Sequence, residues 1–573
     1  MIGIKKFFFS ALMLGIGLNV AAQPYPSDYF QPPLDIPLRL SGTFGELRTN
    51  HFHSGIDLKT QQRTGLPVMA AAPGTVVRIK VSPYGFGKAL YLQHPNGYTT
   101  VYAHLKEFAP VIEEYVRSQQ YARQRFDIEL FPEPGTFEFE SGEVIALSGN
   151  SGGSGAPHLH FEVRDTRTEE IINPLLFGFS VSDSRHPDLY DLEVYEFEDE
   201  ELVATHSRDL IRVSTGEYAL AGDEVIAVAH SPAFGIRTTD RLDGASNRNG
   251  VYSIELEIGG RRHYKFLMQR FAFAETRYIN SHIDYGQKAC CRRSINRLYL
   301  EPNNRFSAYV NTSAMSFPEL IPDSTYEALI KVSDVAGNQS TLHFKLQYQP
   351  RKEDPQLDKG ERLPLSIFRY DQPNFFKKDN IEISLPEGSL YRHIPFFYNR
   401  EEPCPDCYSF IHVLASEEIP VHRYYTLRIK PDESYDGDPQ KLVIMSMKNG
   451  EPVDYEGGDW DGSHVVARTR QFGGFAVMAD DDPPQAIPLG FSEGQSFGGS
   501  ELRISIKDKL SGIDSYEVKI DGEWQLFEYD AKNDLITHDL SKSGLSSGEH
   551  VIDLLVRDEV GNESRHNYHI ILP

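Results

Sequence analysis

Cysteine is scarce in these 573 residues, and clustered basic charge is missing. The four cysteines, Cys290, Cys291, Cys404 and Cys407, are too few for a disulfide-built scaffold, and they admit three pairings that spacing cannot separate. Cys404-Pro-Asp-Cys407 lacks the strand–helix–strand setting of a redox pair and the second ligand pair of a structural zinc site, which leaves these cysteines a structural role. Lys and Arg number 57 against 82 Asp and Glu, a net charge of −25 with no basic cluster. Nucleic-acid binding needs a face that neutralises phosphates, so it is excluded. Long apolar runs are absent beyond the N-terminus, and long helical periodicities are few. What replaces them is 30 Tyr, 34 Phe, 45 Gly and 35 Pro, the composition of strands and turns.

Residues 1–22 read as a signal peptide. Lys5 and Lys6 open it, Phe7 to Val20 is largely apolar, and Ala21-Ala22 precede an expected cut at Gln23. The chain is therefore expected to be exported to the periplasm, the cell envelope or the medium. No integral membrane segment is expected once the signal is removed.

The expected fold class is mainly β: a small antiparallel β-sheet domain with a helical insertion, followed by several β-sandwich modules. The boundaries fall at 23–185, 186–349, 350–482 and 483–573. In the first domain the runs VVRIKV, KALYLQH, YTTVYAHL and HLHFEVR are separated by turn residues such as Pro95-Asn96-Gly97. Pro110 to Phe131 departs from this pattern. Val111, Ile112, Tyr115, Val116, Ala122 and Phe126 recur at helical spacing there, and Glu113 and Arg117 stand one turn apart.

Two later stretches resemble each other. Asp240-Arg-Leu-Asp-Gly244 and Asp508-Lys-Leu-Ser-Gly512 each precede an alternating strand, and Asp334-Val-Ala-Gly-Asn338 and Asp558-Glu-Val-Gly-Asn562 close each copy. The first copy is the longer, and its insertion holds Cys290 and Cys291. Alternation between Asp, Gly and Asn turns suits a two-layer sandwich, and D-x-x-G-N resembles the closing turn of bacterial immunoglobulin-like modules. Asp480-Asp-Asp-Pro-Pro484 reads as a linker.

Chemistry-bearing residues concentrate in the first domain. His53-Ser-Gly-Ile-Asp57 sets an imidazole and a carboxylate four residues apart, with Gly55 allowing a tight bend. His158-Leu159-His160 lies in a strand pattern, so its imidazoles share one face and Leu159 points into the core. Imidazole nitrogen and carboxylate oxygen both suit zinc. His104 ends another β-type run.

With their frames, these residues resemble the lysostaphin-type, or LytM-type, zinc metalloendopeptidases that cut peptidoglycan peptides. The resemblance runs from about Phe44 to Phe179. It passes through Phe44-Gly45, His53-x-Gly55-x-Asp57, Gly65-x-Pro67-Val68, Gly74-Thr75-Val76 and Tyr84-Gly85. It continues through Tyr102-x-His104-Leu105, Gly149-x-Ser151-Gly152 and Pro157-His158-Leu159-His160-Phe161-Glu162 to Asn173-Pro174.

The resemblance implies one Zn²⁺ per chain at the floor of a β-sheet groove, held by His53, Asp57 and His160. It places His104 and His158 beside the metal as catalytic residues, and peptidoglycan peptide as the substrate hydrolysed by a metal-activated water. His51-Phe52-His53 is itself H-x-H; the frame to Gly55 and Asp57 selects His53, and His51 is expected beside the ligands or lining the groove. His94 is expected to be structural. The stretch 107–142 is longer than a compact family core needs, either as surface decoration or as a wall of the groove. The C-terminal β-modules would position the enzyme or bind an envelope protein partner. A non-catalytic wall binder or hydrolase regulator is the alternative reading, and an adhesin a further one for the C-terminal two-thirds.

Overall fold

The computed structural model describes residues 25–222, 225–315, 317–350 and 364–573. The expected signal peptide lies outside them. Among the described residues no helix is long and apolar enough to cross a membrane. The architecture is mainly β.

The first domain contains β1 (Leu40–Gly42), β2 (Ile56–Lys59), β3 (Pro67–Met69), β4 (Gly74–Val81), β5 (Lys88–Gln93), β6 (Tyr98–Phe108), α1 (Pro110–Arg123), β7 (Ile128–Leu130), β8 (Glu138–Phe139), β9 (Val144–Ser148), β10 (His158–Asp165) and β11 (Ile171–Ile172). The main sheet runs β1-β2-β10-β6-β5-β4-β7, and its neighbouring pairs are antiparallel. Alternation decides the faces. Leu159, Phe161 and Val163 of β10 join Leu58, Leu90 and Tyr102 in the core, so His158, His160, Glu162 and Arg164 share the opposite face.

The helix is shorter than the periodicity predicts. It stops at Arg123, where Gln124 takes a left-handed conformation, and Ile128–Leu130 is a strand instead. Ile112 and Val116 bury against the sheet, whereas Val111 is exposed. The expected Glu113–Arg117 pairing does not form. Glu113 accepts from the Phe108 backbone N–H (3.0 Å), and Arg117 donates to the Lys542 carbonyl (3.3 Å).

Residues 188–348, joined by Phe44, Phe52 and Ile171 of the first domain, build the second core, in which Phe234 meets Phe344 across 5.4 Å between ring centroids. The inserted stretch contributes short helices at Ile279–His282 and Tyr285–Cys291. Residues 366–479 place two five-stranded sheets around a third core, and residues 485–572 place a four- and a five-stranded sheet around a fourth. Both disulfides are local: Cys290–Cys291 and Cys404–Cys407.

The last module folds back onto the first domain. The buried Lys88 ammonium pairs with Glu528 (2.9 Å), and Lys542 pairs with Glu107 (2.7 Å). Tyr121 of α1 donates to Gln525 (3.1 Å) and packs edge-on against Trp524. The 107–142 insertion is therefore a bracket, with one side on the sheet of the first domain and the other on the C-terminal module.

Two histidines sit in neutral niches. His282 lies fully buried between Tyr309 and Asn296, and His412 against Tyr398. Burial holds each near a pKa of about 4. The unfolded chain binds their protons near 6.5, so their stability is fully present above that pH and lost as pH falls toward 4, on the order of 3 kcal/mol each at full protonation. The thermal midpoint should therefore fall steadily between pH 6.5 and 4, and calorimetry of His282→Gln and His412→Gln should show a flatter profile.

Candidate metal centre

Register brings the site together. β2 and β10 pair so that Asp57 stands directly opposite His160. His53 lies on the approach to β2, and Gly55 turns the chain between them. A Cβ on Gly55 would meet the Phe161 carbonyl at 2.4 Å and the His160 ring at 3.0 Å, so only glycine permits this approach.

His53 Nε2, Asp57 Oδ1 and His160 Nδ1 form a triangle with edges of 3.0, 3.0 and 3.1 Å. All three side chains are buried. Tetrahedral donors at about 2.1 Å from zinc would stand roughly 3.4 Å apart, so this set fits zinc with shifts of a few tenths of an ångström. Two nitrogens and one carboxylate oxygen are also the donor chemistry that zinc prefers.

Each donor is oriented from behind. His53 Nδ1–H donates to the Thr43 carbonyl (2.8 Å), which leaves Nε2 as the free lone pair. His160 Nε2 meets Glu162 Oε1 at 3.1 Å, which leaves Nδ1. Arg164 clamps the other Glu162 oxygen through Nε and Nη2 (2.8 and 2.6 Å). Arg48 Nη2 holds Asp57 Oδ2 at 3.0 Å. Carboxylate partners of this kind fix the tautomer and ring plane of a metal-binding histidine.

Electrostatics follow the geometry. Burial opposes a charge on His160, but its bonds to Asp57 and Glu162 outweigh that and raise its pKa to about 9. Burial likewise opposes the Glu162 carboxylate, yet Arg164 and His160 bring it down to about 2. Asp57 is held well below the usual carboxylate range, because His53 and the surrounding hydrogen bonds overcome its burial.

His104 and His158 stand beside this triangle. Their rings are 4.7 Å apart, and His158 Nε2 is 3.3 Å from Asp57 Oδ1. His104 Nδ1–H donates to the Ser151 carbonyl (2.9 Å) and His158 Nδ1–H to the Ala156 carbonyl (2.8 Å), so both keep Nε2 for chemistry. Burial, then the neighbouring imidazoles, pushes His104 down to about 3.

His104 reaches the site through a bulge. Strict alternation would send it to the core face with Tyr102. Instead β6 fits an extra residue between its pairs with Lys88 and Leu90, and His104 adopts φ of 58°. Left-handed backbone in a non-glycine residue is strained and collects at functional sites.

The remaining histidines separate cleanly. His51 is exposed, and its ring bonds the Thr49 carbonyl rather than the cluster. His94 is buried between the Pro73 carbonyl and Thr100 (2.8 and 2.7 Å), a packing role. Arg48, Glu162 and Arg164 are the supports that motif spacing did not single out, although Glu162 and Arg164 continue the period-two pattern of His158 and His160.

One rim of the site belongs to the last module. The Lys532 ammonium caps the Asn150 carbonyl and, at 3.2 Å, the Gly152 carbonyl, in the loop whose Ser151 orients His104.

The sequence model of peptidase family M23 matches residues 51–122, and that of the Zu5-like domain matches residues 365–480. The DD-carboxypeptidase/endopeptidase Mpg of Neisseria meningitidis is 36% identical over 131 residues, 22% of this chain and 24% of that protein. The peptidoglycan DD-endopeptidase ShyA of Vibrio cholerae is 29% identical over 137 residues, 23% of this chain and 26% of that one. Among solved structures, a zinc containing peptidase from Vibrio cholerae is 26% identical, covering 24% of this chain and 37% of that one, with a TM-score of 0.18. The chain spans about a quarter of the length of these curated relatives. The first domain is thus similar to peptidase family M23, by its match over residues 51–122.

Proposed function

We propose that this chain is an exported, zinc-dependent endopeptidase that hydrolyses peptide bonds in the cross-links or stem peptides of peptidoglycan. The observation that carries the reading is the buried His53–Asp57–His160 triangle with two further imidazoles beside it. The names of the relatives support peptidoglycan as substrate, and a wall substrate supports a place in the periplasm or cell envelope. The β-rich C-terminal modules would position the domain on the wall or engage an envelope partner.

His53 Nε2, Asp57 Oδ1 and His160 Nδ1 would hold the zinc, and three protein donors leave a coordination position open for catalysis. Bound zinc supplies Lewis acidity, which makes water a competent nucleophile at neutral pH and polarises the scissile carbonyl. His104 and His158, each fixed with its proton on Nδ1, present Nε2 lone pairs toward the reacting groups. One of them accepts the proton of the attacking water; as imidazolium it returns that proton to the leaving amine. The other accepts a hydrogen bond at Nε2 and so orients the attacking water.

The test is digestion of purified peptidoglycan by the chain from Gln23 onward, with products identified by mass spectrometry. Chelator-treated and His160→Ala proteins run in parallel. Zinc-dependent peptide release, lost in both controls, is the expected result and names the bond cut. Bound zinc at one per chain with no release from any wall preparation would sink the endopeptidase reading and favour the non-catalytic binder.

A further inference from the structure

Two carboxylate clusters apart from the His53–Asp57–His160 triangle have the same construction. Asp183, Asp240 and Asp334 bring ligand oxygens within 4.8 Å of one another, and so do Asp480, Asp508 and Asp558. Like charges gathered this way repel unless something positive lies between them. Among the described residues no Lys or Arg forms an ion pair with any of the six. Asp240 and Asp480 are 2% and 1% exposed, and the Oδ1 atom of each has no hydrogen-bond partner. Asp183 Oδ2 is also buried and unpartnered. A buried, unsatisfied carboxylate oxygen is costly unless a ligand completes it.

The wiring repeats in detail. Asp334 Oδ1 accepts from the Gly337 and Asn338 backbone N–H groups, and Asp558 Oδ1 from those of Val560 and Asn562. The Asn338 side-chain amide donates to Asp334 Oδ2 (2.8 Å) and to the Asp183 carbonyl (3.3 Å). The Asn562 amide donates to Asp558 Oδ2 and to the Asp480 carbonyl, both at 2.7 Å. These bonds occupy the edges of the closing aspartate and leave the unpartnered oxygens of the other residues unanswered.

The position is also the same. Asp183 lies in the segment that leaves the peptidase domain, just before the strand Asp188–Glu198. Asp480 lies between the strand Gly473–Ala479 and the strand Gln485–Leu489 of the last module. A cavity of about 20 Å³ adjoins the first cluster and is lined by Asp183, Asp240, Asp334 and Thr43, whose buried hydroxyl is likewise unpartnered. That volume holds one ion or one water.

We infer that each cluster is a calcium site that fixes a connecting segment to the module it enters. The donors are all hard oxygens, which disfavours zinc. Three carboxylates in irregular geometry suit calcium, whereas magnesium keeps most of its waters and takes one or two carboxylates in a near-octahedral shell. Asp240→Asn and Asp508→Asn preserve shape and remove one charge from each site. The first site also touches the catalytic domain, because the Thr43 carbonyl orients His53.

The experiment is equilibrium dialysis of the metal-stripped full chain against calcium chloride, with thermal unfolding measured in the same buffers. Two bound calcium ions per chain are expected, one in Asp240→Asn, one in Asp508→Asn, none in the double variant and two in His160→Ala. Calcium should raise the unfolding midpoint of the parent and leave that of the double variant unchanged. Without calcium, the double variant should melt above the parent, because each cluster then holds one carboxylate fewer and repels itself less. Terbium luminescence on the unmodified chain gives a reading that does not depend on a variant folding, with emission displaced by calcium and not by equal magnesium. No saturable calcium binding, or two ions still bound by the double variant, would overturn the inference.

Discussion

His160→Ala should lose both bound zinc and activity, with peptide release falling by at least about 10³-fold. His160 contributes one of three donors, and its loss leaves Asp57 and His53 alone around the metal position. His104→Ala should behave differently. On the proposed mechanism it removes an acid–base imidazole and no metal donor, so zinc stoichiometry should stay at one while the rate falls by roughly 10²–10⁴-fold, the range for a lost acid–base group. Metal analysis and rate, measured on the same preparations, separate the two roles. Equal zinc loss in both variants would place His104 among the ligands and require a different mechanism.

The second large effect is expected at Glu162, which never meets substrate. This carboxylate is fully buried, bonded to His160 on one side and to Arg164 on the other. Glu162→Ala leaves the Arg164 guanidinium buried among Tyr91, Phe273 and one long contact to Glu169. Breaking a buried pair from one side costs about 3–5 kcal/mol, which denaturant titration should read as a lower midpoint. Zinc affinity should fall about 10–100-fold as well, because the His160 ring loses the group that fixes its tautomer. Glu162→Gln keeps an acceptor for His160 Nε2–H and should lose less zinc affinity than stability. Unchanged affinity in Glu162→Ala would remove the carboxylate from the metal centre.

These two positions also mark what the sequence could reveal. His53, Asp57, His158 and His160 were legible because spacing and strand alternation are local properties. Leu159 does lie in the core, and the two imidazoles do share a face. Glu162 and Arg164 follow the same alternation, but a glutamate and an arginine on a strand face usually mean solvent, and only the fold shows that this face is covered. His104 was legible through its motif and not through its periodicity, which points it to the wrong side. A bulge is set by how neighbouring strands pair, and that information lies about 15 residues away in β5. The length of α1 was overread because apolar spacing continues past Arg123 into residues that serve a strand. The return of the last module was illegible: Lys88 and Glu528 are a lone lysine and a lone glutamate until the chain brings them together across 440 positions.

That return contact orders the protein in time. His53, Asp57 and His160 lie within residues 40–165, whereas Lys532, which caps the carbonyls beside His104, lies more than 360 positions further along the chain. Domains fold in the order in which they emerge. A chain whose module at 485–572 has not yet folded, or has been clipped away, thus has His53, Asp57 and His160 in place while the loop beside His104 stays uncapped. Capping of that loop reports that the module carrying Lys532 has folded against the first domain.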